Sequence, residues 1–372
     1  VLSFSHMNKK NLFLWALYDF ANSVLTINGI LYFSQWMVID NNLPDLWYSS
    51  VFIISTILLL LTASIFGNWS DRMGKRMPFI KLITLLIAVF GLATPFSGLS
   101  LSHPLIRLYL PILLYTLLIY VYQLSLVFYN ALISSVADKA NYSKAAGIGE
   151  MAANLGFLVG GALTLPDISG QLTLFGGTGR LQTLYLATLV FLLLSLPMIF
   201  LFKEKKTSKD ERISLSLPDT FRALAHLKKL KGVLPFLIAY YLGSDALLTF
   251  GEFFPIYLER VFHFTDQQKF YFLTFSTLFF AAGSLVFGLL GKKIGLTRGF
   301  FVTVVTTAVF FIVVSFIRSV PLFLMVVAII SVAWGSFYVF TRALFASLVP
   351  KSQHGVSFGI YAVAERFASI VG

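Results

Sequence analysis

Three carboxylates, Asp19, Asp245 and Glu252, fall inside long runs of apolar and small residues. At the centre of a bilayer an ionisable side chain costs roughly 2.5–3.5 kcal/mol on insertion scales, so one that is retained there faces a cavity or a partner. A carboxyl group that is alternately buried and wetted can take up a proton and release it. Asp245, acting with Asp19 or Glu252, is therefore a candidate for proton coupling; the alternative is a structural carboxylate hydrogen-bonded to an adjacent helix. Helical spacing puts Asp245 and Glu252 on one face, about 10 Å apart along the axis. Asp245 also lies about 18 Å from the start of its run at Val233, near the midplane depth at which solute sites occur in membrane transporters.

Around these carboxylates stand polar side chains suited to a solute. Asn22 and Thr26 follow Asp19 at i+3 and i+7 and share its face, and Thr249 lies one turn beyond Asp245. Tyr120, Gln123, Asn154, Trp334 and Tyr338 can supply hydrogen bonds or aromatic walls, although each can equally serve as contact between helices. Glu365 and Arg366 are adjacent and so point to different faces; Arg366 suits a solute carboxylate. No cofactor is expected. The chain has no cysteine, its five histidines are scattered, and the glycine-rich stretch Gly176–Arg180 lacks the Lys-Ser/Thr ending of a phosphate loop. Without a nucleotide motif, an ion or solute gradient is the expected driving force.

The elements that must carry these residues follow from composition. The chain is 58% hydrophobic and only 12% charged, against roughly 45–50% and about 25% in soluble domains. A transmembrane helix needs about 20 apolar residues, and about eleven such runs recur, the last beginning near Val356 and still running at Gly372. Between them, with the amino terminus taken as cytoplasmic, most Lys and Arg fall on one side, densest in the central loop from Lys203 to Lys231. That bias orients the chain with its amino terminus inside and accounts for the net charge of +12 by topology and anionic lipid contact, without nucleic acid.

Internal similarity joins each span to the one six further on. Asn22–Thr26 reads against Asp245–Thr249, Gly67–Gly74 against Gly288–Gly295, and Ala131–Lys139 against Ala343–Lys351. The pattern predicts two related halves. Between the second and third spans the sequence runs Gly67-Asn68-Trp69-Ser70-Asp71-Arg72-Met73-Gly74-Lys75-Arg76. Its glycines permit a tight turn, Asp71 suits a helix amino terminus, and Arg72 suits pairing with a neighbouring carboxylate, as a latch on the cytoplasmic face would require. Asn130 and Arg342, which correspond in the repeat, are expected near the cytoplasmic ends of their helices as part of the same gate.

The Gly67–Arg76 stretch resembles the signature between the second and third helices of the major facilitator superfamily. Leu17-Tyr18-Asp19-Phe20-Ala21-Asn22-Ser23, Tyr129–Leu132 with Gly147–Gly149 and Asn154–Gly156, and Phe358–Tyr361 with Phe367–Ser369 are similar to the vacuolar amino-acid effluxer-like branch of that superfamily, in its bacterial members. The resemblance implies an all-α polytopic membrane protein with two pseudo-symmetric six-helix halves. The expected boundaries are 1–202 for the first half, 203–232 for a cytoplasmic central loop and 233–372 for the second half, truncated in or after helix 11 with the twelfth absent. The expected activity is alternating-access transport of small solutes, amino acids outward, in a bacterial inner membrane, by a monomer whose partners are the solute, a proton and membrane lipids. Another solute, such as a siderophore, drug or nucleoside, and a non-transporting receptor or scaffold are the alternatives; an enzyme is not expected.

Overall fold

The computed structural model describes residues 8–73, 75–136, 142–168, 179–205 and 232–348. A backbone crossing hydrocarbon must satisfy its own N–H and C=O groups, and the apolar runs accordingly form helices. The chain divides into two compact units, Val1–Ser216 and Leu217–Gly372. The first holds α1 (Lys9–Asn28), α2 (Asp45–Met73), α3 (Met77–Ser100), α4 (Pro104–Ala131), α5 (Tyr142–Ile168) and α6 (Thr183–Leu201). The second holds α7 (Val233–Phe262), α8 (Asp266–Ile294), α9 (Leu296–Phe316) and α10 (Val320–Leu348). Among the described residues, eight of these ten helices are long and apolar enough to cross a membrane. The other two are α1, whose 20 residues include Lys9, Lys10 and Asp19, and α8. The run expected from Val356 lies outside the described residues.

In the first unit α1 packs on α5 and α6, α3 on α4 and α6, and α2 on α4. The α1–α5 contact is made close by glycine: a Cβ on Gly156 would strike the Phe20 carbonyl, and one on Gly160 would come within 2.6 Å of the Val24 Cα. Small residues of this kind let helix backbones approach where lipid offers no hydrophobic drive to association. Beyond Asn28 the first helix continues as two π-helical segments, Gly29–Phe33 and Trp36–Asp40. Wide turns of this type often mark functional positions in helices. Here the Phe33 ring stacks on Tyr115 of α4 at a centroid distance of 3.8 Å.

The second unit is built on α10, which packs against α8 and α9. One aromatic cluster joins Phe254, Phe262, Phe272 and Phe323 at one end of this unit, and another joins Phe236, Tyr240, Phe300, Phe337 and Phe345 at the other. A Cβ on Gly335 would strike the Phe280 carbonyl, so α8 and α10 meet at the backbone, and the Ser284 hydroxyl donates to the Gly335 carbonyl at 3.1 Å.

Candidate functional site

On α1, residues 15, 18, 22 and 25 recur at helical spacing and are all buried. Trp15 and Tyr129 lock α1 to α4: their rings stack at 4.5 Å, the Trp15 Nε1–H donates to the Tyr129 carbonyl at 3.0 Å, and the Tyr129 hydroxyl donates to the Trp15 carbonyl at 3.2 Å. One turn on, the Tyr18 hydroxyl meets the Thr84 hydroxyl of α3 at 2.9 Å. The next residue on this face is Asn22. It is fully buried, and neither its carboxamide oxygen nor its nitrogen has a hydrogen-bond partner. A buried polar group left unpaired costs about 1–3 kcal/mol, so Asn22 stands out among neighbours that are satisfied. Asp19 is half-buried on the same helix, and the Thr26 hydroxyl bonds back to the Asn22 carbonyl at 2.9 Å.

Two other expected solute contacts join helices. The Tyr120 hydroxyl meets Thr62 of α2 at 2.8 Å, and the Gln123 Nε2 donates to the Ser55 hydroxyl at 3.4 Å, both between α2 and α4. Gln123 is buried and its carboxamide oxygen has no partner, so half of its hydrogen-bonding capacity is unused. Asn154 is half-buried on α5.

In the second unit α7 carries Asp245, Thr249 and Glu252, all half-buried. Gly251, beside Glu252, lies against the indole of Trp334 on α10. Trp334 and Tyr338, one turn apart, both flank Phe280 of α8, at 6.1 and 6.3 Å between ring centroids. The Trp334 Nε1–H is buried and has no acceptor. Gly251 of α7 and Trp334 and Tyr338 of α10 thus meet one aromatic wall with Phe280, and the Ser244 hydroxyl of α7 is a further buried group without a hydrogen-bond partner.

The expected gate is corrected in one respect. Asp71 and Arg72 lie within α2, which runs to Met73, so Asp71 does not sit at a helix amino terminus. The amino end of α3 is held by Glu204, a residue that no sequence motif marked: the backbone N–H groups of Arg76 and Met77 donate to its two carboxylate oxygens at 2.7 and 3.0 Å. Lys75 is exposed. Asn11 completes the stitching, donating to the carbonyls of Ser135 and Lys203 at 2.9 and 2.8 Å, while the Lys205 N–H donates to the Ser135 hydroxyl. These contacts bring the starts of α1 and α3, the short turn Ile133–Val136 and the segment after α6 to one end of the unit. Gly67 lies within α2; Gly74, Glu365 and Arg366, and the side chains of Asp71, Arg72, Asn130 and Arg342, lie outside what the structure describes.

A second unforeseen group joins α7 to α8. Lys269 is fully buried, with its ammonium 2.5 Å from Glu259 and 2.6 Å from Asp266. Its sequence neighbours, Asp266-Gln267-Gln268-Lys269, read as an ordinary polar helix start, capped by Thr265 and Gln268. Nothing in that pattern shows that the lysine turns inward.

The ten long helices described in the two units, eight of them long and apolar enough to cross a membrane, define a multi-pass membrane protein with polar and acidic groups held inside its apolar helices. Residues 21–372 match the family model of the Major Facilitator Superfamily, and the chain belongs to that family. An uncharacterized protein of Aquifex aeolicus (strain VF5) is 25% identical over 96% of this chain and 86% of its own length. Among solved structures, a point mutant of the nucleoside transporter NupG superposes with a TM-score of 0.76 at 13% identity, covering 97% of this chain and 89% of its own. A bacterial homolog of the human lysosomal transporter Spinster, in an inward-facing unoccupied conformation, gives 0.71 at 16%, covering 99% and 82%. A D-xylose–proton symporter gives 0.69 at 13%, covering 97% and 87%. At these identities the structures share the fold, and the family makes the chain a secondary transporter of small molecules.

Proposed function

We propose that this transporter exports amino acids or similar small zwitterionic solutes by alternating access, with a proton bound and released at Asp245 together with Asp19 or Glu252. The observation that carries the reading is Asn22: a carboxamide, fully buried on α1, with both its donor and its acceptor unused. Its NH2 group can donate to a carboxylate while its oxygen accepts from an ammonium, which are the two charged groups of an amino-acid zwitterion. The resemblance of Leu17–Ser23 to the amino-acid effluxer-like branch supports the same reading. Outward transport from the cytoplasm follows that branch, and a cytoplasmic amino terminus in a bacterial inner membrane follows the distribution of basic residues.

A nucleoside is the second reading, favoured by the unused Trp334 indole N–H beside Phe280 and Tyr338, an aromatic wall against which a base can stack. The two are separated in proteoliposomes holding the full chain, by uptake of labelled amino acids and of labelled nucleosides without a proton gradient and with one imposed in each direction, an acid lumen driving the exchange of solute for proton that export requires. Gradient-driven amino-acid accumulation that Asn22→Ala and Asp245→Asn each reduce at least about ten-fold supports the zwitterion reading. Accumulation of nucleosides alone, or amino-acid flux that Asp245→Asn leaves fully pH-dependent, refutes the corresponding part of it.

A further inference from the structure

A groove of about 430 Å³ opens on the outer surface of the first unit between α3 and α6, walled by Leu92, Ala93, Phe96, Tyr185 and Leu189. Both helices are membrane spans by length and composition, so the groove lies at the depth of the hydrocarbon. Pro95 lies in the same turn of α3 and, having no N–H, leaves the Gly91 carbonyl without its usual helical donor. The walls leave Phe96 55% and Leu189 40% exposed, enough apolar surface to receive a chain and left uncovered by the described helices of this unit.

The charge at the mouth of the groove identifies the occupant. Arg107, exposed at the start of α4, reaches over the end of α3 and donates its Nε–H to the Gly98 carbonyl at 3.1 Å. Gly98 also lies against Leu181, one turn before Tyr185 on the α6 side of the groove. From Phe96 to Gly98 is about 3 Å along the axis and from Leu92 about 9 Å. Along the helix axis the guanidinium therefore lies beyond the apolar walls, on the side where a phosphodiester would follow its acyl chains. No described carboxylate pairs with Arg107, whereas Arg180, nearby in sequence to Leu181, is paired with Asp40 at 2.6 Å. Arginine has four further N–H donors in a planar fork suited to phosphate oxygens.

We propose that this groove and Arg107 form a binding site for one anionic glycerophospholipid, with an acyl chain against Leu92, Phe96 and Leu189 and the phosphate on the Arg107 guanidinium. The site is independent of the transported solute. Native mass spectrometry of the full-length protein in uncharged detergent tests it, with phosphatidylglycerol, phosphatidylcholine of the same acyl chains, and inorganic phosphate as probes. The expected result is one saturable lipid bound about five-fold more tightly as phosphatidylglycerol than as phosphatidylcholine, the increment of one basic group at a membrane surface, with no competition from inorganic phosphate. Arg107→Gln should erase the difference between the two lipids. Ala93→Trp, which fills the groove, should remove the site for both, and Leu189→Gln, at an exposed position that leaves the fold intact, should weaken both alike. Retention of the full preference in Arg107→Gln, or of unchanged single-site binding in both groove variants, overturns the proposal. Effective competition by inorganic phosphate overturns it too, since it would make Arg107 a plain anion site without use of the groove.

Discussion

Removing the Glu204 carboxylate should unfasten the first turn of α3. The N–H groups of Arg76 and Met77 end on its two oxygens at 2.7 and 3.0 Å, and among the described residues no other side chain caps this helix. Losing an N-terminal capping side chain costs about 1 kcal/mol, and losing a negative charge at the positive end of the helix dipole adds about 0.3–1 kcal/mol. Glu204 is part-exposed, so solvent screening holds the second contribution to its lower end. The sum is roughly 1.5 kcal/mol, or about a ten-fold rise in local opening. Hydrogen exchange followed by mass spectrometry on peptides spanning residues 75–84 measures it directly. Glu204→Ala should exchange the Arg76 and Met77 amides about ten-fold faster, with peptides from α4 unchanged. Glu204→Gln, which keeps an acceptor oxygen but no charge, should fall between. Exchange in Glu204→Ala within two-fold of the parent would refute the capping argument, and with it the view that the segment after α6 secures the α2–α3 loop.

Other perturbations probe the packing and the buried charges. Gly160→Ala brings a methyl within 2.6 Å of the Val24 backbone, about 1 Å inside ordinary contact, so it should cost about 1–3 kcal/mol in reversible unfolding from detergent, as overpacking does; a loss under about 0.5 kcal/mol would mean that α1 and α5 are not in backbone contact. Lys269→Met leaves Glu259 and Asp266 facing each other without their cation and should destabilise by about 3 kcal/mol. The triple variant Lys269→Met, Glu259→Gln, Asp266→Asn should recover most of that loss, and the same unfolding assay reads both. For transport, Asn22→Ala should lower solute flux while raising or preserving thermal stability, because it removes an unpaired buried amide. A variant that loses flux only in proportion to lost folded protein would assign Asn22 a structural role instead.

The class of this protein was written in local sequence, because hydrophobic period and length decide which segments enter a bilayer regardless of their neighbours. The runs that became all ten helices could be read from composition, eight of them long and apolar enough to span a membrane among the described residues, and the Gly67–Arg76 motif pointed to a family matched across residues 21–372. Helical spacing alone also put Asp19, Asn22 and Thr26 on one face. What sequence could not supply is which groups meet across distance. Tyr120 and Gln123 read in the sequence as solute contacts or contacts between helices, and the structure shows each bonded from α4 to α2, which sequence could not show because a polar side chain inside a span serves a ligand or a neighbour with the same chemistry. The helix start assigned to Asp71 belongs to Glu204, 128 positions from Arg76 in the chain. Lys269 sits in an ordinary capping sequence yet is fully buried, and only the fold of α7 onto α8 brings it Glu259. Sequence determined which segments are helices and which side chains are polar inside them; tertiary structure decided which of those polar groups are satisfied, as Tyr18 is, and which, like Asn22, are left with unused bonds. Propensity and hydropathy act over a few residues, whereas the pairing of a buried polar group depends on whatever helix is packed against it.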